Sequence, residues 1–254
     1  MTDHPQPTIL HFDSIDSTNL EALRQARAGA AEGLCIVARA QTQGRGRLDR
    51  SWQSPKDAGL YCSLVLRPKL EMNAWPLITL MTALAVCDAL QKACGLRADI
   101  KWPNDLCVND RKLCGILAET VETETGTAAI VGIGINLKAD SLPATVSDLA
   151  TSVETATGVQ PDSVRVLNEI LKAIGERYEL LQSPLGGEHT IREWCANSSY
   201  AFGRQVRVAL ENDTFEGTTR GLESDGALRV EMAGGKIRLV RAGDVTALRA
   251  TGNL

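Results

Sequence analysis

A chain of 254 residues, 44% of them hydrophobic, suits one large domain, or one domain with a small appendage, around a sizeable core. Its formal net charge of -4 removes any overall electrostatic case for nucleic acid, so an anion site has to be local. The start, MTDHPQPTILHF, has neither a basic region nor a long apolar run, and the most apolar stretch, 77–90, is interrupted by Thr79, Thr82 and Asp88. Both features argue against a signal peptide and a membrane span and point to a cytoplasmic protein. Seven cysteines (Cys35, Cys62, Cys87, Cys94, Cys107, Cys114 and Cys195) form no C-x-x-C pair. They suggest neither a zinc site nor a disulfide frame, and buried free thiols are expected.

Residues 9–15 alternate weakly and predict a first strand. Thr18 and Glu21 have capping-box spacing for a helix that shows Leu20 and Leu23 on its apolar face and stops at Gly29. Residues 33–40, GLCIVARA, are a strand by β-branched content. They lead straight into 41–52, QTQGRGRLDRSW. That stretch sets Gly44 and Gly46 beside Arg45, Arg47 and Arg50, closes on Trp52 and has one aliphatic residue, Leu48. It reads either as a loop whose backbone and guanidiniums close on phosphate or carboxylate, with Trp52 over a flat ring, or as a solvated basic turn.

Residues 59–66 predict a strong strand ended by Pro68, and 74–93 a buried helix stopped by Gly95. A short strand at 99–102 breaks at Pro103, before the polar pair Asn104 and Asp105. Strands at 106–108 and 112–119 flank Asn109 and Asp110, a hairpin signal. Residues 123–126 make another turn. The next strand, 127–137, contains Gly132 and Gly134, which mark a close approach of ligand or backbone. A loop is expected at 143–157, a helix at 162–181, a linker at 183–187 (SPLGG) and a short helix at 188–197. From Gly203 the pattern changes to short strands at 205–210, 214–221, 228–231 and 236–240. The turns at Asn212-Asp213, Asp225-Gly226 and Gly234-Gly235 separate them. The predicted fold is α+β: a mixed β-sheet domain with helices packed on one face, residues 1–200, plus a small C-terminal β-barrel, residues 201–254.

Six stretches occur in order: Ser17-Thr18-Asn19, Gln41, GRGRLDRSW at 44–52, KWPNDL at 101–106, RKLCGILAE at 111–119 and GIGIN at 132–136. Together they resemble the biotin protein ligases, enzymes that attach biotin to carboxylase subunits. KWPND followed by RKLCGIL is the most specific part; GRGR alone would be weak. The resemblance implies a catalytic domain that binds biotin and ATP and an SH3-like C-terminal barrel. It implies two steps: biotin and ATP give biotinyl-5'-AMP and pyrophosphate, and the adenylate then acylates one lysine of the biotin carboxyl carrier domain of acetyl-CoA carboxylase or a related enzyme.

By resemblance Lys112 and Arg47 are the catalytic residues. Ser17, Thr18, Asn19, Gln41, Gly44, Arg45, Arg47, Lys112 and Gly115 would bind biotin. Arg45, Arg47, Arg50, Trp52, Asn104, Asp105, Lys112 and Asn136 would bind ATP and the adenylate. The chemistry agrees, because a carboxylate and an α-phosphate are both anions and need cations and N–H donors to meet. Taken alone, Lys112 is equally an exposed hairpin lysine, Ser17 and Thr18 cap a helix, and Trp52 is a core or lid residue. Lys101 is a candidate ion-pair partner of Asp105. Mg²⁺ is expected through the phosphates of ATP rather than in a protein metal site.

The family loop usually reads GRGRxGR, and Asp49 stands where the third glycine would be. At a position with φ above zero, aspartate is among the less costly replacements, and its carboxylate could pair with Arg47 or Arg50. Some family members carry an N-terminal winged helix and repress transcription. Sixteen residues precede Ser17, too few for one, so no DNA-binding role is expected. Nor is a membrane partner expected; the chain would be a monomer or a weak homodimer. The competing readings are a lipoate or octanoate ligase of the same superfamily, a non-catalytic biotin or nucleotide sensor, and a nucleic-acid-binding protein that uses the arginine loop.

Overall fold

The structure, a computed structural model, describes residues 8–142 and 148–248, so the expected loop at 143–157 lies partly outside the described residues. A seven-stranded sheet forms the frame, in the order β1-β2-β3-β7-β6-β5-β4. Its strands are β1 (Ile9–Phe12), β2 (Cys35–Ala38), β3 (Gly59–Leu66), β4 (Asp99–Lys101), β5 (Asp105–Val108), β6 (Arg111–Thr123) and β7 (Gly126–Asn136). β1 and β2 run parallel, and every other neighbouring pair is antiparallel. Asn109 and Asp110 have φ of 52° and 60°, the left-handed pair that a tight hairpin turn between β5 and β6 requires.

Alternation along β3 separates two environments. Leu60, Cys62, Leu64 and Leu66 join the main core, while Val65 joins a smaller one on the opposite face. Helices α2 (Pro76–Cys94), α4 (Ser163–Leu181) and α5 (Gly186–Ala196) pack on the main-core side. α2 is apolar nearly all round and ends at Gly95, which takes φ 66° as a left-handed cap. By length and composition the segment Met72–Cys94 could cross a membrane, contrary to the sequence reading; here it is the central core helix.

The expectation of helices on one face holds for these three. Helix α1 (Thr18–Arg27) takes the other face, where Ala22 and Ala26 meet Leu34, Ile36, Val65 and Ile130. The small side chains bring α1 close to the sheet. Leu20 and Leu23, predicted to be its apolar face, are only half-buried. Its N-cap is Ser17 rather than Thr18, and Ser17 makes no side-chain cap bond. Glu21 turns instead to Arg24 and Gln25.

Two further expectations are corrected. Residues 183–187 are no linker: they make the tight turn from α4 into α5, and Gly186 is buried against the end of α4, where a Cβ would lie 2.5 Å from the Leu181 carbonyl oxygen. The segment read as loop contains a short helix, α3 (Val153–Thr157), capped by Ser152.

The C-terminal sheet has five strands, one more than expected: β8 (Phe202–Ala209), β9 (Thr214–Leu222), β10 (Leu228–Glu231), β11 (Ile237–Val240) and β12 (Asp244–Ala247). They are antiparallel in the order β11-β10-β9-β8-β12, and among the described residues no pairing joins β11 to β12, so the expected barrel is an open sheet. Val206, Val208, Leu228, Val230 and Val245 belong to the same core as α2. Polar contacts reinforce this union: Trp102 Nε1 donates to the Gly226 carbonyl at 3.0 Å and Arg204 pairs with Asp110 at 2.8 Å.

Candidate active site

The α1 face of the sheet carries glycine at three places where other residues would block it. A Cβ on Gly134 would lie 2.6 Å from the Trp52 indole, and one on Gly115 would lie 3.0 Å from that ring and 3.3 Å from Lys112 Cε. A Cβ on Gly132 would overlap the Asn19 amide. The glycines predicted to mark a close approach therefore admit side chains from the loop and from α1. Trp52 packs on the sheet over Gly115 and Gly134, with Lys112 Nζ 5.4 Å from its ring centroid and its own Nε1 buried without a partner.

Above this floor is a cavity of about 130 Å³. Ser17, Thr18, Asn19 and Gln41 line one end, and Arg45, Arg47, Arg50 and Trp52 the loop side. Asn104, Asp105, Lys112 and Gly115 close the other end. Two predicted residues stand behind the wall. Gly44 is packed against the Ser54 side chain, and Asn136 is 6% exposed and donates to the Thr151 carbonyl at 3.1 Å.

Lys112 reaches this face through a β-bulge. A regular strand would put Lys112 and Gly115, three residues apart, on opposite faces. Register shifts between Leu106 and Cys107, so Asp105 pairs with Gly115 while Cys107 pairs with Lys112. Lys112 Nζ then lies 2.7 Å from Asp105 Oδ1, so the partner of Asp105 is Lys112, not Lys101. The Lys112 backbone is fixed from outside the sheet: its N–H donates to the Leu149 carbonyl and its carbonyl accepts from Thr151 N–H, each at 2.8 Å.

The loop is held by its three arginines. Arg45 pairs with Glu119 at 2.9 Å, and Arg50 pairs with Asp244 of β12. Arg47 donates to Asn104 Oδ1 at 3.1 Å and to the Gly243 carbonyl at 3.5 Å. Asn104 is itself clamped, its Nδ2 donating to the Ile116 carbonyl at 2.7 Å. Burial holds the Arg47 pKa below its ordinary value, while Asp244 and Asp105 pull the other way. Leu48 and Asp49 take φ of 52° and 56°. The glycine position of the family loop is thus left-handed here, and Asp49 tolerates it. Its carboxylate is exposed, and Arg47 and Arg50 have taken other partners.

At the opposite end Gln41 Oε1 accepts the Thr18 backbone N–H at 2.7 Å and the Thr18 hydroxyl at 3.0 Å, so a loop side chain caps α1 from a distance. Gln41 Nε2 donates to Ser54 Oγ at 2.7 Å. Beneath them the fully buried Ser63 Oγ lies 2.8 Å from Thr18 Oγ1 and 2.6 Å from Asn19 Oδ1. Sequence reasoning missed Ser54, Ser63, Glu119 and Asp244. A hydroxyl within the apolar strand GLYCSLVL was the available signal for Ser63, and for Glu119 it was its place at the end of RKLCGILAE, an even number of residues from Gly115 and so on the same strand face; Ser54 and Asp244 had none apart from their partners.

Residues 11–136 match the model described as the biotin/lipoate A/B protein ligase family, and residues 201–246 match the biotin protein ligase C-terminal domain. The bifunctional ligase/repressor BirA of Bacillus spizizenii is 35% identical over 240 residues, which span 93% of this chain and 73% of that protein. The chain belongs to the biotin protein ligase family. The biotin–[acetyl-CoA-carboxylase] ligase of Mycobacterium tuberculosis is 30% identical across 92% of this chain and 86% of its own. Among solved structures, the biotin protein ligase of Aquifex aeolicus in complex with biotin and ATP superimposes with a TM-score of 0.81 at 30% identity, covering 96% of this chain and 99% of that one.

Proposed function

We propose that this chain activates biotin with Mg·ATP to biotinyl-5'-AMP and transfers the biotinyl group to a lysine of the biotin carboxyl carrier domain of acetyl-CoA carboxylase or a related carboxylase. The observation that carries the reading is the placing of Lys112, Arg47 and Trp52 around one glycine-floored cavity that ends on Ser17, Thr18 and Gln41. The hydroxyl and amide end offers donors and acceptors in the mixture a ureido edge needs. The cationic end suits a carboxylate attacking an α-phosphate, with pyrophosphate as leaving group.

The four cations differ. Arg45, Arg50 and Lys112 each carry a carboxylate partner, whereas the partners of Arg47 are a side-chain amide oxygen and a backbone carbonyl. Asp244 and Asp105 act on Arg47 without a direct ion pair, so this half-buried guanidinium, whose hydrogen-bond partners are neutral, is the freest of the four to meet an incoming anion. Arg47 therefore holds the adenylate, while Lys112 exchanges Asp105 for the developing charge on the acyl and phosphoryl oxygens. Asn104 orients Arg47. The indole of Trp52 walls the pocket beside Lys112. No group of three histidine, cysteine or carboxylate residues that could hold a metal occurs among the described residues, and Mg²⁺ enters as part of the nucleotide substrate. In transfer, the acceptor amine attacks the acyl carbon and AMP departs. The proposed setting is the cytoplasm, with the chain a monomer or weak homodimer and no DNA among its partners.

Biotin-dependent exchange between ATP and labelled pyrophosphate tests the first step. Exchange with biotin is expected. Exchange with lipoate instead would assign the chain to the lipoate branch, and exchange with neither would leave a ligand sensor.

A further inference from the structure

We propose that Glu119 is a positioning residue for biotin, and that Arg45 serves the ligand through this carboxylate rather than by direct contact of its guanidinium. The inference rests on the biotin-ligase reading and adds to it a residue and a division of labour.

Glu119 lies on β6 four residues beyond Gly115, so its side chain shares the pocket face. One carboxylate joins two distant segments. Its Oε1 lies 2.9 Å from Arg45 Nη1, and its Oε2 accepts from Asn19 Nδ2 at 2.8 Å. Asn19 is 4% exposed, also donates to the Leu117 carbonyl at 3.2 Å, and meets Ser63 Oγ at 2.6 Å. Its amide is fixed on every side, over a β7 that lacks a Cβ at Gly132. Arg45 brings in the loop backbone, which bridges to Ser51 at that residue. Glu119 therefore ties the glycine loop to the first turn of α1, and those two segments are the walls of the end that Ser17, Thr18 and Gln41 form.

The pairing also decides what Arg45 can do. Its guanidinium is neutralised at close range, by an acceptor held in place by a second donor. Leaving Glu119 for a substrate anion would strip that carboxylate of its counter-ion and leave Asn19 as its remaining donor. Arg47 has no carboxylate to leave. Arg45 thus sets the position of the Gly44 and Arg45 backbone groups, and Arg47 meets the anion.

The test is a double-mutant cycle on the full chain, with biotin affinity read by titration calorimetry and kcat and KM by pyrophosphate exchange. Glu119→Gln keeps the shape and an acceptor but loses the charge. It should weaken biotin binding by about tenfold, the loss of one charge-assisted contact, with a smaller change in kcat. Arg45→Ala should do the same, and the double variant should be no worse than the weaker-binding single one, because both remove one clamp. Unchanged affinity in Glu119→Gln would overturn the inference, as would effects that multiply in the double variant, since Arg45 would then act independently. If the Gln variant does not fold, Glu119→Asp reads the same clamp: a shorter carboxylate should weaken biotin severalfold, and unchanged affinity again overturns it. A wild-type chain that binds no biotin would remove the parent reading instead. A wild-type chain that binds, with Glu119→Gln unaffected, would remove only this one.

Discussion

Lys112 and Arg47 face the same substrate anions in different states, and this separates their expected phenotypes. Lys112 is held ready by Asp105 at 2.7 Å and acts where charge develops. Lys112→Ala should lower the rate of adenylate formation by about 100- to 1,000-fold, the usual cost of removing one transition-state donor, while biotin affinity changes much less. A loss confined to affinity, in calorimetry against single-turnover rates, would make Lys112 a binding residue only. Arg47→Gly should speed dissociation of the adenylate by roughly 10- to 100-fold, the worth of one charge-assisted contact at about 1.5–3 kcal/mol. An unchanged dissociation rate would place Arg47 outside the adenylate site. The thiols are a third residue-scale case. Burial raises Cys87 and Cys107 to about 12 and pushes Cys114 well up. Cys35, Cys62, Cys107 and Cys114 are buried, and only Cys87, Cys94 and Cys195 are partly exposed. A thiol reagent at neutral pH should therefore label at most these three quickly in the native chain; rapid labelling of all seven would contradict the packing.

At the scale of elements, β6 and β7 matter through what they omit. Gly115, Gly132 and Gly134 leave the sheet bare so that Lys112, Asn19 and Trp52 can lie on it. Gly134→Ala puts a methyl 2.6 Å from the indole, which must move. The variant should lose about 1–3 kcal/mol in urea unfolding, the usual cost of overpacking, and bind nucleotide and biotin more weakly. Wild-type stability and affinity would show that the indole is free to leave the floor. Most elements were legible because their signals are local. GLYCSLVL for β3, the apolar run ending at Gly95 for α2, and Asn109-Asp110 for the β5–β6 turn all depend on neighbours in sequence. Misreadings arose where the deciding partner is remote. The burial of Ala22 and Ala26 instead of Leu20 and Leu23 depends on the sheet α1 meets, and the bulge that turns Lys112 inward depends on pairing between strands.

The whole molecule closes the site from its C-terminal sheet. Arg50 pairs with Asp244, Arg47 reaches the Gly243 carbonyl, and Trp102 is bonded to Gly226, so the loop and the KWPND turn are both held by chain lying about a hundred residues or more away. The cations of the loop were readable in the sequence, but these anchors were not, since nothing near Asp244 signals that it faces Arg50. Because Arg50 is 64% exposed and Asp244 34%, solvent screens the pair, and Asp244→Asn should cost at most about 1 kcal/mol in stability. The KM for ATP should rise by up to about fivefold as the loop loosens. A KM equal to the wild type would mean that the loop holds its shape without the second sheet. Ligation by the closed site is read most simply from the intact mass of an apo carrier domain after incubation with this chain, biotin and Mg·ATP. One added biotinyl group is expected, on one lysine, absent without ATP and strongly reduced with Lys112→Ala; no added group, or modification with lipoate but not biotin, would show that the chain is not a biotin ligase.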